Sequence, residues 1–341
     1  MAEPSRTSEA RRDAVFGRWV IFSPARSRRP TDLKSHGSAN PSPGPGDGAP
    51  KPSCPFCHGR ESECAPEIFR VPAPEASSPW RIRVIENLFP ALRRDAEPPA
   101  PEEGEKPVGA GECSVRGFGF HDVVIETPRH EVRLWDLDAE GVGDVLLAYA
   151  RRVQQLAEHP AVKYVQEGLR GGLGSVEHAI IPVLPDHPGG EQRGGGQPFA
   201  HGLRQALCEI QSKDILVSET HNFSAIVPFA ASYPFETWII PRQHSSYFHE
   251  IDQDKVLDLG SLLRSVLQKL CKQLNDPPFN YVIHGALFGL SSSCLPYTHW
   301  FLQIVPQLSV TGGFEMGSGC YINPVFPEDA AKILREVDCS I

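Results

Sequence analysis

The sequence predicts a duplicated α+β fold, and three observations carry that expectation. First, strand, histidine, amphipathic helix, strand and second histidine recur in that order with a period of roughly 115 residues, too long for a solenoid and right for a repeated small domain. Second, the helix in each repeat carries apolar residues close to a 3.6 period. Third, the patterned regions are separated by surface-loop compositions: Ser, Pro and Gly over 34–53, Pro and Glu over 96–112, and Gly over 186–204.

A chain of 341 residues with 40% hydrophobic content is long enough for one large or two ordinary domains with a real core. The formal net charge of −9 and a pI near 5.8 give a repulsive average field for DNA or RNA. Local arginine clusters can still grip a small phosphate. No apolar segment follows the polar start Met1-Ala2-Glu3-Pro4, and no run of about 18 apolar residues occurs. The expectation is a soluble, cytoplasmic protein.

Along the chain, Trp19-Val20-Ile21-Phe22 reads as a strand leading into Arg26-Ser27-Arg28-Arg29-Pro30. Three guanidiniums in four positions can clamp a diphosphate by paired hydrogen bonds, although spacing alone favours a solvated basic loop. A strand over Gly119-Phe120-His121-Asp122-Val123-Val124-Ile125 ends near Pro128-Arg129-His130. The helix after it carries Val145, Leu146, Tyr149, Val153 and Leu156. A second strand is expected over Val162–Gln166, and then His178 stands before Val183-Leu184-Pro185. The second repeat runs Phe235–Pro241, Arg242 and His244, then a helix with Leu259, Leu262, Leu263, Val266, Leu267, Leu270 and Leu274. A strand over Asn280–His284 follows, with His299 before Ile304-Val305-Pro306. Neither phosphate-binding glycine fingerprint opens a helix.

Nine cysteines, an odd number without a framework of spacings, argue against a disulfide-stapled secreted fold. Only Cys54 and Cys57 form a C-x-x-C pair. A redox pair is expected at a helix N-terminus after a strand, whereas this one follows a Pro/Ser/Gly loop, which favours a zinc half-site. The repeat supplies the rest of a Cys₂His₂ set: Cys54, Cys57, His130 and His178, a closed tetrahedral arrangement of structural type. The second repeat offers Cys208, His244 and His299, with Gln205 at the earlier cysteine position. A single thiolate makes that site weak or empty.

The motifs Phe16-Gly17-Arg18-Trp19-Val20, Cys54-Pro55-Phe56-Cys57, Val84-Ile85-Glu86-Asn87-Leu88-Phe89-Pro90 and Phe118-Gly119-Phe120-His121-Asp122 resemble the galactose-1-phosphate uridylyltransferase family, in particular its plant ADP-glucose phosphorylase branch. The likeness resumes at Leu207-Cys208-Glu209 and includes Tyr297-Thr298-His299-Trp300-Phe301-Leu302-Gln303 and Gly317-Ser318-Gly319-Cys320-Tyr321-Ile322-Asn323-Pro324. It implies two tandem histidine-triad-like halves, each an antiparallel sheet with a packed helix. The halves fall at 1–185 and 205–341, with an anomalous Gly-rich segment over 186–204. The resemblance also implies transfer of a nucleoside monophosphate from a nucleotide sugar, through a nucleotidyl-histidine, to a hexose phosphate or inorganic phosphate. Carried over with it, nucleotide-sugar contacts fall on Arg26, Ser27, Arg28 and Arg29, on Glu63, Cys64 and Ala65, on Asn87, and on Phe314 with Glu315. Val310 stands where the family has a glycine. A homodimer is a further implication of the resemblance.

In one segment the chain departs from the family. A His-x-His-x-Gln motif is implied after residue 166, but only His178 is present there, in the context of the metal ligand. The nucleophilic histidine is therefore unassigned. His187 and His201 lie in loops with no positioning strand, and a nucleophile must be held in line with phosphorus. Ten of the 38 residues over 167–204 are glycine, against 30 in the whole chain, and no strand or helix period is visible. This abrupt loss of pattern reads as a local reading-frame or gene-model error. The competing expectation is an inactive, zinc-stabilised protein that still binds nucleotide sugar. A zinc-finger nucleic-acid binder is disfavoured by the acidic charge and the absence of a basic helix.

Overall fold

The computed structural model describes residues 7–12, 19–28, 54–73, 78–98, 113–171, 213–290 and 298–339. Within them the fold is mixed α/β, with three antiparallel sheets. Strands β1 (Glu9–Arg12), β2 (Trp19–Phe22) and β5 (Cys113–Arg116) form one sheet in the order β2-β1-β5. A second, ordered β3-β4-β6, joins β3 (Glu67–Val71), β4 (Ile82–Glu86) and β6 (Asp122–Ile125). The largest has six strands: β7 (Glu167–Gly171), β8 (Leu216–Glu219), β9 (Phe223–Ile226), β10 (Thr237–Pro241), β11 (Phe279–His284) and β12 (Phe301–Pro306), ordered β7-β11-β12-β10-β9-β8.

Two long helices, α1 (Ala139–Ala157) and α2 (Gln253–Leu274), pack on each other and on the large sheet. Their apolar stripes are those read from the sequence. Val145, Leu146 and Tyr149 of α1 share a core with Leu259, Leu263, Val266 and Leu267 of α2. Alternate strand residues Phe279, Tyr281 and Ile283 of β11, and Leu302 and Ile304 of β12, face the same core. Asp138 caps α1 by accepting the Gly141 N–H at 2.8 Å, and Asn275 ends α2 in the left-handed region at φ 58°. The helices approach closely at Gly260, where a Cβ would sit 2.7 Å from the Ala139 carbonyl oxygen. Two short helices, α3 (Gly313–Ser318) and α4 (Pro327–Glu336), complete the C-terminal part.

One expectation is corrected. Residues 162–165 form no strand, and the strand begins instead at Glu167, inside the stretch that reads as patternless. Antiparallel pairing with the edge of β11 makes it a strand, with Glu167 opposite Ile283, Leu169 opposite Tyr281 and Gly171 opposite Phe279. Backbone hydrogen bonds to a preformed edge override the poor intrinsic preference of Gly168 and Gly171. The two repeats also share one core. Across it, the Tyr149 and Tyr281 hydroxyls lie 2.8 Å apart, and Tyr149 donates to the buried carboxylate of Glu126. Burial first, and then Glu126, raise the Tyr149 hydroxyl well above the usual range.

Candidate active site and metal centre

Cys54 and Cys57 lie in a tight turn, with the Cys57 N–H directed at the Cys54 carbonyl at 3.4 Å. The turn is joined to the loop after β6 by the His58 N–H, which donates to the Pro128 carbonyl at 3.1 Å. That bond carries His130 to the thiols. The two Sγ atoms and an imidazole nitrogen lie within 4.8 Å of one another, and two soft thiolates with one imidazole fit a zinc ion at three of four tetrahedral positions. Burial first, and then the neighbouring Cys54, push the Cys57 thiol up. His178, the fourth ligand read from the sequence, lies outside the described residues, as do Arg29, His187, His201, Gln205 and Cys208.

The knuckle is braced from below. Glu61 accepts the buried Trp80 indole N–H at 2.6 Å and the Gly59 N–H at 3.1 Å. The Trp80 bond, opposed in part by burial, holds its carboxyl down at about 2. Glu63 pairs with Arg60 at 2.6 Å. Cys64 donates its thiol to the Pro55 carbonyl at 3.0 Å, and burial pushes that thiol up. Cys64 is therefore joined to the turn between Cys54 and Cys57, and Glu63 to Arg60 just after it.

The turn bearing Arg26 is tied to the loop after β4 through Ser23. Arg26 is half-buried in a single 3-10 turn over Pro24–Arg28, whose backbone also includes Ser27 and Arg28. The Ser23 hydroxyl, one residue before that turn, donates to the Pro90 carbonyl at 2.7 Å. Asn87, half-buried, accepts the Phe89 N–H at its Oδ1 at 2.8 Å. Asp122, fully buried, pairs with Arg94 at 2.6 Å and Arg152 at 2.8 Å, and Arg94 also reaches Glu86 at 2.7 Å. His121 and Asp122, which carry no functional expectation from sequence, are two polar residues buried where β6 begins.

Three comparisons bear on this geometry. The family model described as galactose-1-phosphate uridyl transferase, N-terminal domain, matches residues 1–183. ADP-glucose phosphorylase of Arabidopsis thaliana is 50% identical over 342 residues, covering 98% of this chain and 94% of that protein. The chain belongs to the galactose-1-phosphate uridylyltransferase family. As a member, it is an enzyme of nucleotidyltransferase type. A galactose-1-phosphate uridylyltransferase of Thermotoga maritima is 25% identical over 98% of this chain and 99% of its own length. The crystal structure of an Arabidopsis thaliana ADP-glucose phosphorylase with bound ADP-glucose superposes with a TM-score of 0.70 at 44% identity, covering 98% of this chain and 100% of that one. A uridylyltransferase structure at 23% identity, TM-score 0.67, covering 96% of this chain and 97% of that one, shares the fold.

In the C-terminal part of this uridylyltransferase-family chain, His244 and His299 stack with ring centroids 5.7 Å apart. Both nitrogens of His299 face backbone carbonyls, Nδ1 that of Ser245 at 2.8 Å and Nε2 that of Pro241 at 2.9 Å. Burial lowers this imidazole, opposed in part by its hydrogen bonds to the Ser245 and Pro241 carbonyls. Phe314 and Glu315 lie on α3, where Phe314 is 60% exposed and Glu315 accepts the Gly312 N–H at 3.1 Å. Val310 is 95% exposed. These C-terminal candidates sit on an exposed surface arm. Among the described residues no helix is long and apolar enough to cross a membrane.

Proposed function

We propose that this chain takes a nucleoside monophosphate from a nucleotide sugar, ADP-glucose or a UDP-hexose, and passes it to phosphate or a hexose 1-phosphate. The full-length likeness to ADP-glucose phosphorylase carries this reading. In its chemistry an imidazole nitrogen attacks the α-phosphorus, the sugar phosphate leaves, and the phosphohistidine bond is then broken by the acceptor. Arg26, Ser27, Arg28 and Arg29 would bind the phosphates, with Glu63, Cys64, Ala65, Asn87, Phe314 and Glu315 as further contacts. The metal would be a structural zinc on Cys54, Cys57, His130 and His178, cross-linking the knuckle to the chain beyond α1. Its scaffold would be two tandem histidine-triad-like halves at 1–185 and 205–341, either side of the 186–204 segment. Cys64, Cys271, Cys320 and Cys339, thiols outside the proposed zinc set, fit a cytoplasmic setting.

The nucleophile has no assigned residue, because the 167–204 segment contains one family-type histidine where the motif has two. Incubation with nucleotide sugar labelled at the α-phosphorus decides the matter: acid-labile label on a histidine peptide is expected. Reversible binding without covalent label would leave an inactive binder instead. Sequencing the transcript across codons 160–210 tests the segment itself, and a restored His-x-His-x-Gln is the expected result.

A homodimer is part of the same proposal. Val310, Phe314, Ile322 and Phe326 are 60% or more exposed along one arm, an apolar run that a second copy would cover. Sedimentation equilibrium should give twice the chain mass, and a monomer at micromolar concentration would count against it.

A further inference from the structure

We propose that His121 is the positioning residue of the Asn87–Ala91 loop, holding both ends of that loop so that Asn87 faces the nucleotide sugar. The inference rests on the reading of Asn87 as a nucleotide-sugar contact. His121 is 4% exposed and stands immediately before β6. Its backbone carbonyl accepts the Asn87 N–H at 2.9 Å, and its ring Nδ1 accepts the Ala91 N–H at 2.8 Å. One residue therefore closes a five-residue loop at both ends.

The donors fix the chemistry. A backbone N–H can only donate, so Nδ1 presents a lone pair and the proton of the neutral ring sits on Nε2. Within the loop, the Phe89 N–H bonded to Asn87 Oδ1 fixes that carboxamide in the same way. Its Nδ2, a donor, is the atom left to meet a phosphate or ribose oxygen. The Ser23 hydroxyl bonded to the Pro90 carbonyl ties the loop to the turn bearing Arg26. Arg94, held by Asp122 and Glu86, fixes the chain just beyond it. His121 thus sets Asn87 and, through Pro90 and Ser23, its position relative to the arginine turn.

The test exploits side-chain length. In His121→Asn the carboxamide oxygen falls close to where Nδ1 lies, whereas in His121→Gln it falls near Nε2 and leaves the Ala91 N–H unpaired. ADP-glucose binding to the full zinc-loaded chain is measured by calorimetry for both variants, for Asn87→Ala and for the Asn87→Ala/His121→Gln double variant, with melting midpoints alongside. His121→Asn should bind within about threefold of wild type, and His121→Gln about tenfold more weakly, at similar melting midpoints. The double variant should bind no more weakly than Asn87→Ala, because His121 acts through Asn87. Equal binding by the Asn and Gln variants, or additive losses in the double variant, overturns the inference while Asn87→Ala still weakens binding. Wild-type binding by Asn87→Ala overturns the assignment of Asn87, and the inference with it.

Discussion

At the residue scale, zinc binding by the proposed Cys54, Cys57 and His130 knuckle would require thiols to give up protons. Losing a supporting group around a metal costs about 10–100-fold in affinity, so loss of a ligand in Cys57→Ser should weaken zinc binding by more than about 100-fold. Competition with a chromogenic chelator measures this. Because burial and Cys54 push the Cys57 thiol up, zinc affinity should also rise from pH 6 to pH 8 as the proton becomes easier to displace. Glu61 beneath the knuckle works in the opposite sense. Its folded value, about 2, is below the unfolded 4.5, so its contribution is fully present above the unfolded value and is lost as pH falls toward 2. Glu61→Gln should therefore be less stable than wild type at pH 6 in denaturant titrations and converge with it near pH 2. The clustering of Cys54, Cys57 and His130 was legible because ligand chemistry restricts residue type. His121 was not, because its partners are backbone amides, which no residue type announces.

At the scale of elements, the two long helices were legible and several strands, β7 among them, were not. Leu259, Leu263, Val266 and Leu267 bury one stripe of α2, and no tertiary partner is needed to see a 3.6 period. Strand β7 has no such internal signal, since Gly168 and Gly171 have no side chain to alternate, and its conformation comes from the β11 edge. The helix pair makes its own prediction. At Gly260 an added Cβ meets the Ala139 oxygen at 2.7 Å and the Gly143 nitrogen at 2.9 Å, both backbone atoms that cannot rotate away. At Gly143 it meets the Val256 Cγ1 at 3.3 Å, a side chain that can give. Gly260→Ala should therefore cost about 1–3 kcal/mol of stability and Gly143→Ala clearly less, as measured by urea unfolding.

At the scale of the whole molecule, the two stretches of the repeat seen in the sequence contribute to one core. Strand β7 of the first half pairs with β11 of the second, α1 packs on α2, and Ile82, Val84 and Val124 of the β3-β4-β6 sheet belong to the same core as Leu302 and Ile304. The carbonyl of Leu137 accepts the Arg264 Nε–H at 2.6 Å, and that of Trp135 accepts from Gln268 at 3.1 Å, so polar bonds cross the junction too. A chain divided within 186–204 exposes the α2 stripe and the β11 edge of its C-terminal piece to water, surfaces that favour association over folding. That piece alone should keep far-UV helix signal, lose near-UV signal and bind a hydrophobic dye, as a core without its other half would. Mixing the two pieces should restore the near-UV signal and a single cooperative melt, because every crossing contact is noncovalent. A cooperative melt of residues 205–341 alone would show instead that α2 and its sheet are stable without α1, and that the shared core is a docking surface between two finished domains.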